Sequence, residues 1–95
     1  MMRLTREGIK DKAAWEKAGV TLPRFDIQAM VAHTEKAPLW VHFGAGNIFR
    51  AYIARLQQEL LDEGLTQSGI IVAETYDTDI IDRVYTPYDN LALVV

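Results

Sequence analysis

Residues 40–51 constrain the fold most, because a short apolar run there meets two glycines and then opens into a helical pattern. The run at residues 39–43 is nearly continuous in apolar side chains, which is typical of a buried parallel strand. Gly44 and Gly46 follow it. In such a turn, the first glycine allows a tight reversal, and the second lets the backbone approach a pyrophosphate at the helix N-terminus. The pattern predicts a dinucleotide-binding turn.

A βαβ unit is predicted from the residues around this turn. Gly64 suits the end of the connecting helix, and residues 70–73 form a second apolar strand. Residues 91–95 are interpreted as a third strand, after a short helix that Pro87 closes. The connecting helix is predicted to have about four turns because apolar residues recur every fourth position: Ile48, Tyr52, Leu56 and Leu60.

Two helices are predicted before the first strand. One covers residues 5–18 and ends near Gly19, and the other begins at Asp26, whose side chain can cap it. The fold class is therefore α/β: a partial Rossmann-type parallel sheet (βαβαβ) of about three strands, preceded by two N-terminal helices. The predicted division is an N-terminal helical arm at residues 1–38 and the first half of a dinucleotide-binding domain at residues 39–95.

Such a half-domain leaves sheet surface uncovered. A doubly wound fold needs further strands beyond its switch point, where the ligand crevice forms, and 95 residues provide one small core. We therefore expect either part of a longer enzyme, whose C-terminal remainder and substrate domain lie outside these residues, or a chain that self-associates.

Composition argues against several classes of partner. Thirteen acidic and ten basic residues give a net charge of −3, so there is no basic footprint for nucleic acid. Without cysteine there is no disulfide or zinc-thiolate site, and two histidines cannot build a metal site alone. A signal peptide and the roughly 18 apolar residues of a membrane span are both missing. We expect a cytoplasmic chain that binds neither nucleic acid nor membrane nor metal.

The candidate cofactor site begins in the glycine loop. Phe49 replaces the third glycine of the usual G-x-G-x-x-G, so the motif alone is weak and a purely structural turn stays an alternative. Arg50, in the first helical turn, can donate to a phosphate or lie solvated on an exposed face. The residues expected to contact a pyrophosphate through their backbone are Gly44, Ala45, Gly46, Asn47 and Ile48.

A carboxylate that binds the cofactor's ribose is expected at the end of the second strand. Glu74 directly follows that strand, 28 residues after Gly46, where the usual spacing is about 20. It can instead be a surface acid at a strand end. Asp77 is the competing carboxylate, with a helix cap as its other interpretation. An acid here favours NAD over NADP, because a 2′-phosphate would meet like charge.

No catalytic constellation is evident in the sequence. His42 lies within the first strand, where a packing role outweighs catalysis. We find no nucleophile paired with a base and no carboxylate pair with an evident role. No catalytic residue is assigned.

Residues 42–51, His-Phe-Gly-Ala-Gly-Asn-Ile-Phe-Arg-Ala, strongly resemble the N-terminal cofactor loop of the long-chain mannitol dehydrogenase family. That family includes fructuronate, tagaturonate and mannonate oxidoreductases. Residues 22–26 (Leu-Pro-Arg-Phe-Asp) and 87–91 (Pro-Tyr-Asp-Asn-Leu) are similar to two further segments of it. In this resemblance, Phe49 is a family feature.

The resemblance implies an NAD-dependent oxidoreductase that moves a hydride between nicotinamide and a polyol or sugar acid. It also implies a catalytic lysine in a C-terminal helical domain, which no lysine of this chain matches. We therefore expect cofactor binding without turnover by the chain alone. The alternatives are a non-catalytic module that self-associates through its open sheet edge and a turn that binds another adenosine-containing ligand.

Overall fold

The computed structural model describes residues 2–94. These residues form two compact units, one of residues Pro23–Tyr76 and the other of residues 2–22 together with 77–94. Short 3-10 turns lie at Gly8–Lys10 and Thr86–Tyr88, and π-helical segments at Phe49–Ile53 and Ile81–Tyr85. The α-helices and strands, in chain order, are α1 (Lys12–Lys17), α2 (Ile27–Lys36), β1 (Val41–Phe43), α3 (Ala54–Asp62) and β2 (Ile71–Ala73).

The two strands form a parallel sheet, and α3 lies between them in the chain. His42 is opposite Val72 in the register. The ladder continues into the glycine turn, since the backbone N–H of Gly44 donates to the carbonyl oxygen of Ala73 at 2.8 Å. The α/β class is thereby confirmed, with strands that are parallel and connected through a helix, as the apolar runs indicated.

The predicted third strand is not found in residues 91–94, and Val95 lies outside the described residues. A strand needs a hydrogen-bonded neighbour, and residues 77–94 belong to a different compact unit from β1 and β2. The chain turns just before this run, where Asp89 and Asn90 both have positive φ, of 52° and 62°. The strand predicted from this apolar run is therefore wrong for residues 91–94.

The first predicted helix is shorter than residues 5–18, because Asp11 interrupts it. Asp11 has a non-helical ψ of 71°, and its side chain caps α1 by accepting from the N–H of Ala14 at 3.4 Å. Trp15 is buried, and its indole Nε1 donates to the carbonyl oxygen of Gly8 at 3.0 Å. The second predicted helix is confirmed as α2, where Asp26 accepts from the N–H of Ala29 at 3.0 Å.

Helix α2 is tied to the start of β2 through the buried Thr34. Its Oγ1 donates to the carbonyl oxygen of Met30 at 2.7 Å and accepts from the N–H of Gly69 at 2.8 Å. A side chain at Gly69 would crowd Met30, so glycine lets the two segments approach closely. The helix therefore packs in the same unit as the sheet, while the predicted boundary near Pro38 stays a prediction.

We expect Thr34→Val to lower the free energy of unfolding by about 1–3 kcal/mol, because the buried N–H of Gly69 loses its acceptor. Thr34→Ser keeps the hydroxyl and is the matched control, with a smaller loss from the missing methyl group. Urea denaturation followed by circular dichroism measures both. Equal stability of the two variants would show that this hydrogen bond contributes nothing.

The helix predicted after the glycine turn is present, but the apolar row that indicated it is exposed. Ile48 is 77% exposed, and Tyr52, Leu56 and Leu60 are exposed as well. The buried side chains of this helix, Phe49 and Leu61, lie in the neighbouring row. Both rows repeat every four residues, so the period predicted a helix without telling which row is inside.

Candidate functional site

The glycine turn connects β1 to the π-helical segment. Its two glycines differ in whether the backbone conformation requires glycine. Gly44 has a φ of +111°, which side chains rarely adopt, so the turn itself requires glycine there. Gly46 is exposed, is not among the positive-φ glycines, and would accommodate a Cβ with no atom within 4 Å. The fold therefore does not require glycine at position 46.

The helix after the turn starts with a widened π-helical stretch. The N–H of Ala54 donates to the carbonyl oxygen of Phe49, five residues earlier, and such π-helical insertions are frequent at functional sites. The buried ring of Phe49 stacks on His42 of β1, with ring centroids 4.9 Å apart and planes at 29°. At the third-glycine position, an aromatic side chain thus packs the helix against the strand.

Glu74 reaches the glycine loop from the end of β2, as its position in the sequence suggested. Its Oε2 accepts from the backbone N–H of Ala45 at 2.9 Å, and its Oε1 accepts from the N–H of Tyr76 at 3.1 Å. The competing carboxylate, Asp77, belongs to the other compact unit. Its backbone carbonyl accepts from the N–H of Ile80 at 3.3 Å at the start of a helical turn, and its role toward a cofactor stays a prediction.

Arg50 folds back onto the loop. Its Nη1 donates to the carbonyl oxygen of Ala45 at 2.7 Å, and its Nη2 donates to Oδ1 of Asn47. The sequence alone indicated either a phosphate contact or a solvated side chain for Arg50, and not these contacts within the loop. The spacing of three residues between Asn47 and Arg50 was the available signal, because such residues are neighbours on a helix surface.

Within residues 2–94, no cluster of three or more histidine, aspartate or glutamate side chains could hold a metal ion. The same part of the chain has no helix long and apolar enough to cross a membrane. The arrangement at the turn combines backbone amides at a helix start, an exposed glycine and a nearby carboxylate. Chemically, these groups are suited to binding a phosphate-containing ligand that also carries hydroxyl donors.

The fold and the turn define an α/β protein with a glycine-containing strand-to-helix turn, the type of turn that holds phosphates in many nucleotide-binding proteins. The chain is 54% identical over 94 residues to a D-mannonate oxidoreductase from Thermotoga maritima. The alignment covers 99% of this chain and 17% of that relative's length. This similarity confirms the resemblance to the mannitol dehydrogenase family that residues 42–51 indicated. No protein-family model and no solved structure matches the chain.

Proposed function

We propose that the chain forms the cofactor-binding part of an oxidoreductase that transfers a hydride between a nicotinamide cofactor and a polyol or sugar acid. The observation that carries this proposal is the open space at Gly46, where a Cβ would meet no atom within 4 Å. Next to it, Glu74 binds the backbone N–H of Ala45. The similarity to a D-mannonate oxidoreductase supports a sugar acid as the substrate class. When bound, the nicotinamide supplies the hydride acceptor.

In this proposal the chain's own residues bind and orient the cofactor. The backbone N–H groups of Gly46, Asn47 and Ile48 hold the pyrophosphate at the start of the helix, where the partial positive charge of the helix favours anions. The N–H groups of Gly44 and Ala45 already donate to Ala73 and Glu74, so these two residues shape the loop. The carboxylate of Glu74 accepts hydrogen bonds from ribose hydroxyls, since an ionised carboxylate is an acceptor only. Asp77 is proposed only as the alternative to Glu74 for this contact.

We expect NAD to be preferred over NADP, because the 2′-phosphate of NADP would approach the negative charge of Glu74. Isothermal titration calorimetry of the purified chain should give an NADP affinity about tenfold or more below that for NAD. Glu74→Gln removes the charge but keeps an oxygen that can accept from Ala45. This variant should therefore have a smaller difference between its NAD and NADP affinities. Glu35→Gln, at an exposed position on α2, is the control and should keep the preference for NAD unchanged.

Two outcomes of this titration would contradict the proposal. A folded chain that binds neither cofactor at millimolar concentration would show that the turn is insufficient for binding. Equal affinities for both cofactors, unchanged in Glu74→Gln, would show that Glu74 does not face the ribose.

The chain spans only 17% of the relative's length. We propose that substrate binding and hydride transfer depend on residues that correspond to the rest of that relative. The chain alone should therefore bind cofactor but form no NADH from NAD and D-mannonate, as followed by absorbance at the NADH band. If the chain alone formed NADH at the rate of a complete enzyme, the proposal that its residues bind only the cofactor would be contradicted.

A second candidate function is self-association, and the exposed apolar residues of the sheet favour it. Val41, Phe43 and Ile71 all present exposed side chains, with Phe43 exposed by 73%. Apolar patches of this kind often mark interaction sites. Light scattering after size exclusion should then detect a dimer that Phe43→Ser weakens, whereas a monomer at all concentrations would remove this candidate.

A further inference from the structure

The peptide groups on either side of Ala45 are held by two side chains of opposite charge. Ala45 is fully buried, at 0% exposure. Its N–H donates to the Glu74 carboxylate at 2.9 Å, and its carbonyl oxygen accepts from the Arg50 guanidinium at 2.7 Å. Hydrogen bonds to ionised groups are stronger than those between neutral partners. The middle of the loop is therefore fixed by one charge from the end of β2 and one from the first helical turn.

The remaining loop residues are anchored by regular structure instead. The N–H of Gly44 continues the ladder to Ala73, and the N–H of Arg50 donates to the carbonyl oxygen of Gly46 at 3.1 Å. Ala45 lies between these two bonds in the chain. Its N–H and its carbonyl oxygen are bound by the two charged side chains, Glu74 and Arg50.

We propose that Arg50 is a positioning residue, which with Glu74 clamps Ala45 and sets the conformation of the glycine loop before any cofactor arrives. The guanidinium is suited to this role because its planar fork places two donors at fixed directions. One donor reaches the loop carbonyl and the other reaches Asn47, which holds the side chain over the loop. A loop already in its binding conformation loses less conformational freedom when the ligand binds.

The clamp can be tested in the protein without cofactor, by amide hydrogen exchange at Ala45, whose N–H is buried and hydrogen-bonded to Glu74. Arg50→Met removes the hydrogen bonds of the guanidinium to Ala45 and Asn47, and exchange at the Ala45 amide should accelerate about tenfold or more as the loop opens. Arg50→Lys can restore one donor and should give an intermediate rate. The matched control is Arg55→Met, because Arg55 lies on α3 and pairs with Glu59 instead.

This inference deepens the proposed function, and NAD titration of the same variants separates the two. Loss of NAD affinity in Arg50→Met together with faster loop exchange supports the positioning role. Lost affinity with exchange like that of the native chain would assign Arg50 as a direct phosphate ligand and overturn it. Native exchange with native affinity would overturn it too. If the native chain binds no NAD, the proposed function fails, while the exchange rates still decide whether the clamp exists.

Discussion

Gly46→Val should weaken NAD binding about 100-fold while leaving the fold intact. A Cβ at this position would meet no atom of the chain within 4 Å, and the backbone is not in the left-handed region. The free energy of unfolding should therefore change by no more than about 0.5 kcal/mol. The same side chain would occupy the space through which a pyrophosphate approaches the loop amides. Losing two or more of those hydrogen bonds, at about 1 kcal/mol each, together with the steric clash, lowers NAD affinity by about 100-fold.

Gly44→Val carries the same side chain two residues earlier and is the matched control. Its φ of +111° is strained for any side chain, so this variant should lose about 1–3 kcal/mol of stability. Calorimetric titration with NAD and thermal unfolding together separate the two effects. A Gly46→Val variant that binds NAD like the native chain would show that the open side of the loop is not the cofactor side.

The sequence predicted the backbone of the site better than its side-chain contacts. Gly44 and Glu74 could be placed because each directly follows an apolar run, and the ends of parallel strands share one edge of the sheet. The bond between Glu74 and Ala45 and the reach of Arg50 depend on side-chain conformations that neither spacing nor composition contains. The sequence showed that Phe49 replaces a glycine. It did not show that Phe49 stacks on His42, because this contact depends on how the helix is placed against β1.

The parts of the fold that the sequence did not predict have a common physical origin. The sequence predicted the helix after the turn but not its buried face, because the row with Ile48 and the row with Phe49 run side by side along it. The run at residues 91–95 looked like a strand, yet a strand depends on a partner that local sequence does not specify. Local patterns thus indicated the type of an element, while tertiary packing decided which face it buries and whether a ladder forms.

Phe49→Ala should destabilise the chain more than Thr34→Val or Gly44→Val does, whereas Ile48→Ala should be nearly neutral. Phe49 is only 7% exposed, and its neighbour Ile48 is 77% exposed, although both are large apolar residues. Truncating a buried phenylalanine typically costs about 3–5 kcal/mol, and here the stacking on His42 is lost as well. Urea denaturation of both variants, compared with the native chain, measures the difference.

A chain of this size has limited stability, so Phe49→Ala can unfold completely, and Phe49→Leu keeps the comparison measurable. Leucine retains most of the buried volume but not the ring, and a double-mutant cycle with His42→Ala then isolates the aromatic contact. A coupling of about 0.5–1.5 kcal/mol is expected. Zero coupling, or equal stability of Phe49→Ala and Ile48→Ala, would mean that the aromatic residue at the third-glycine position does not hold the helix on the strand. The glycine loop, which precedes this helix, would then be held mainly by the hydrogen bonds of Glu74 and Arg50 to Ala45.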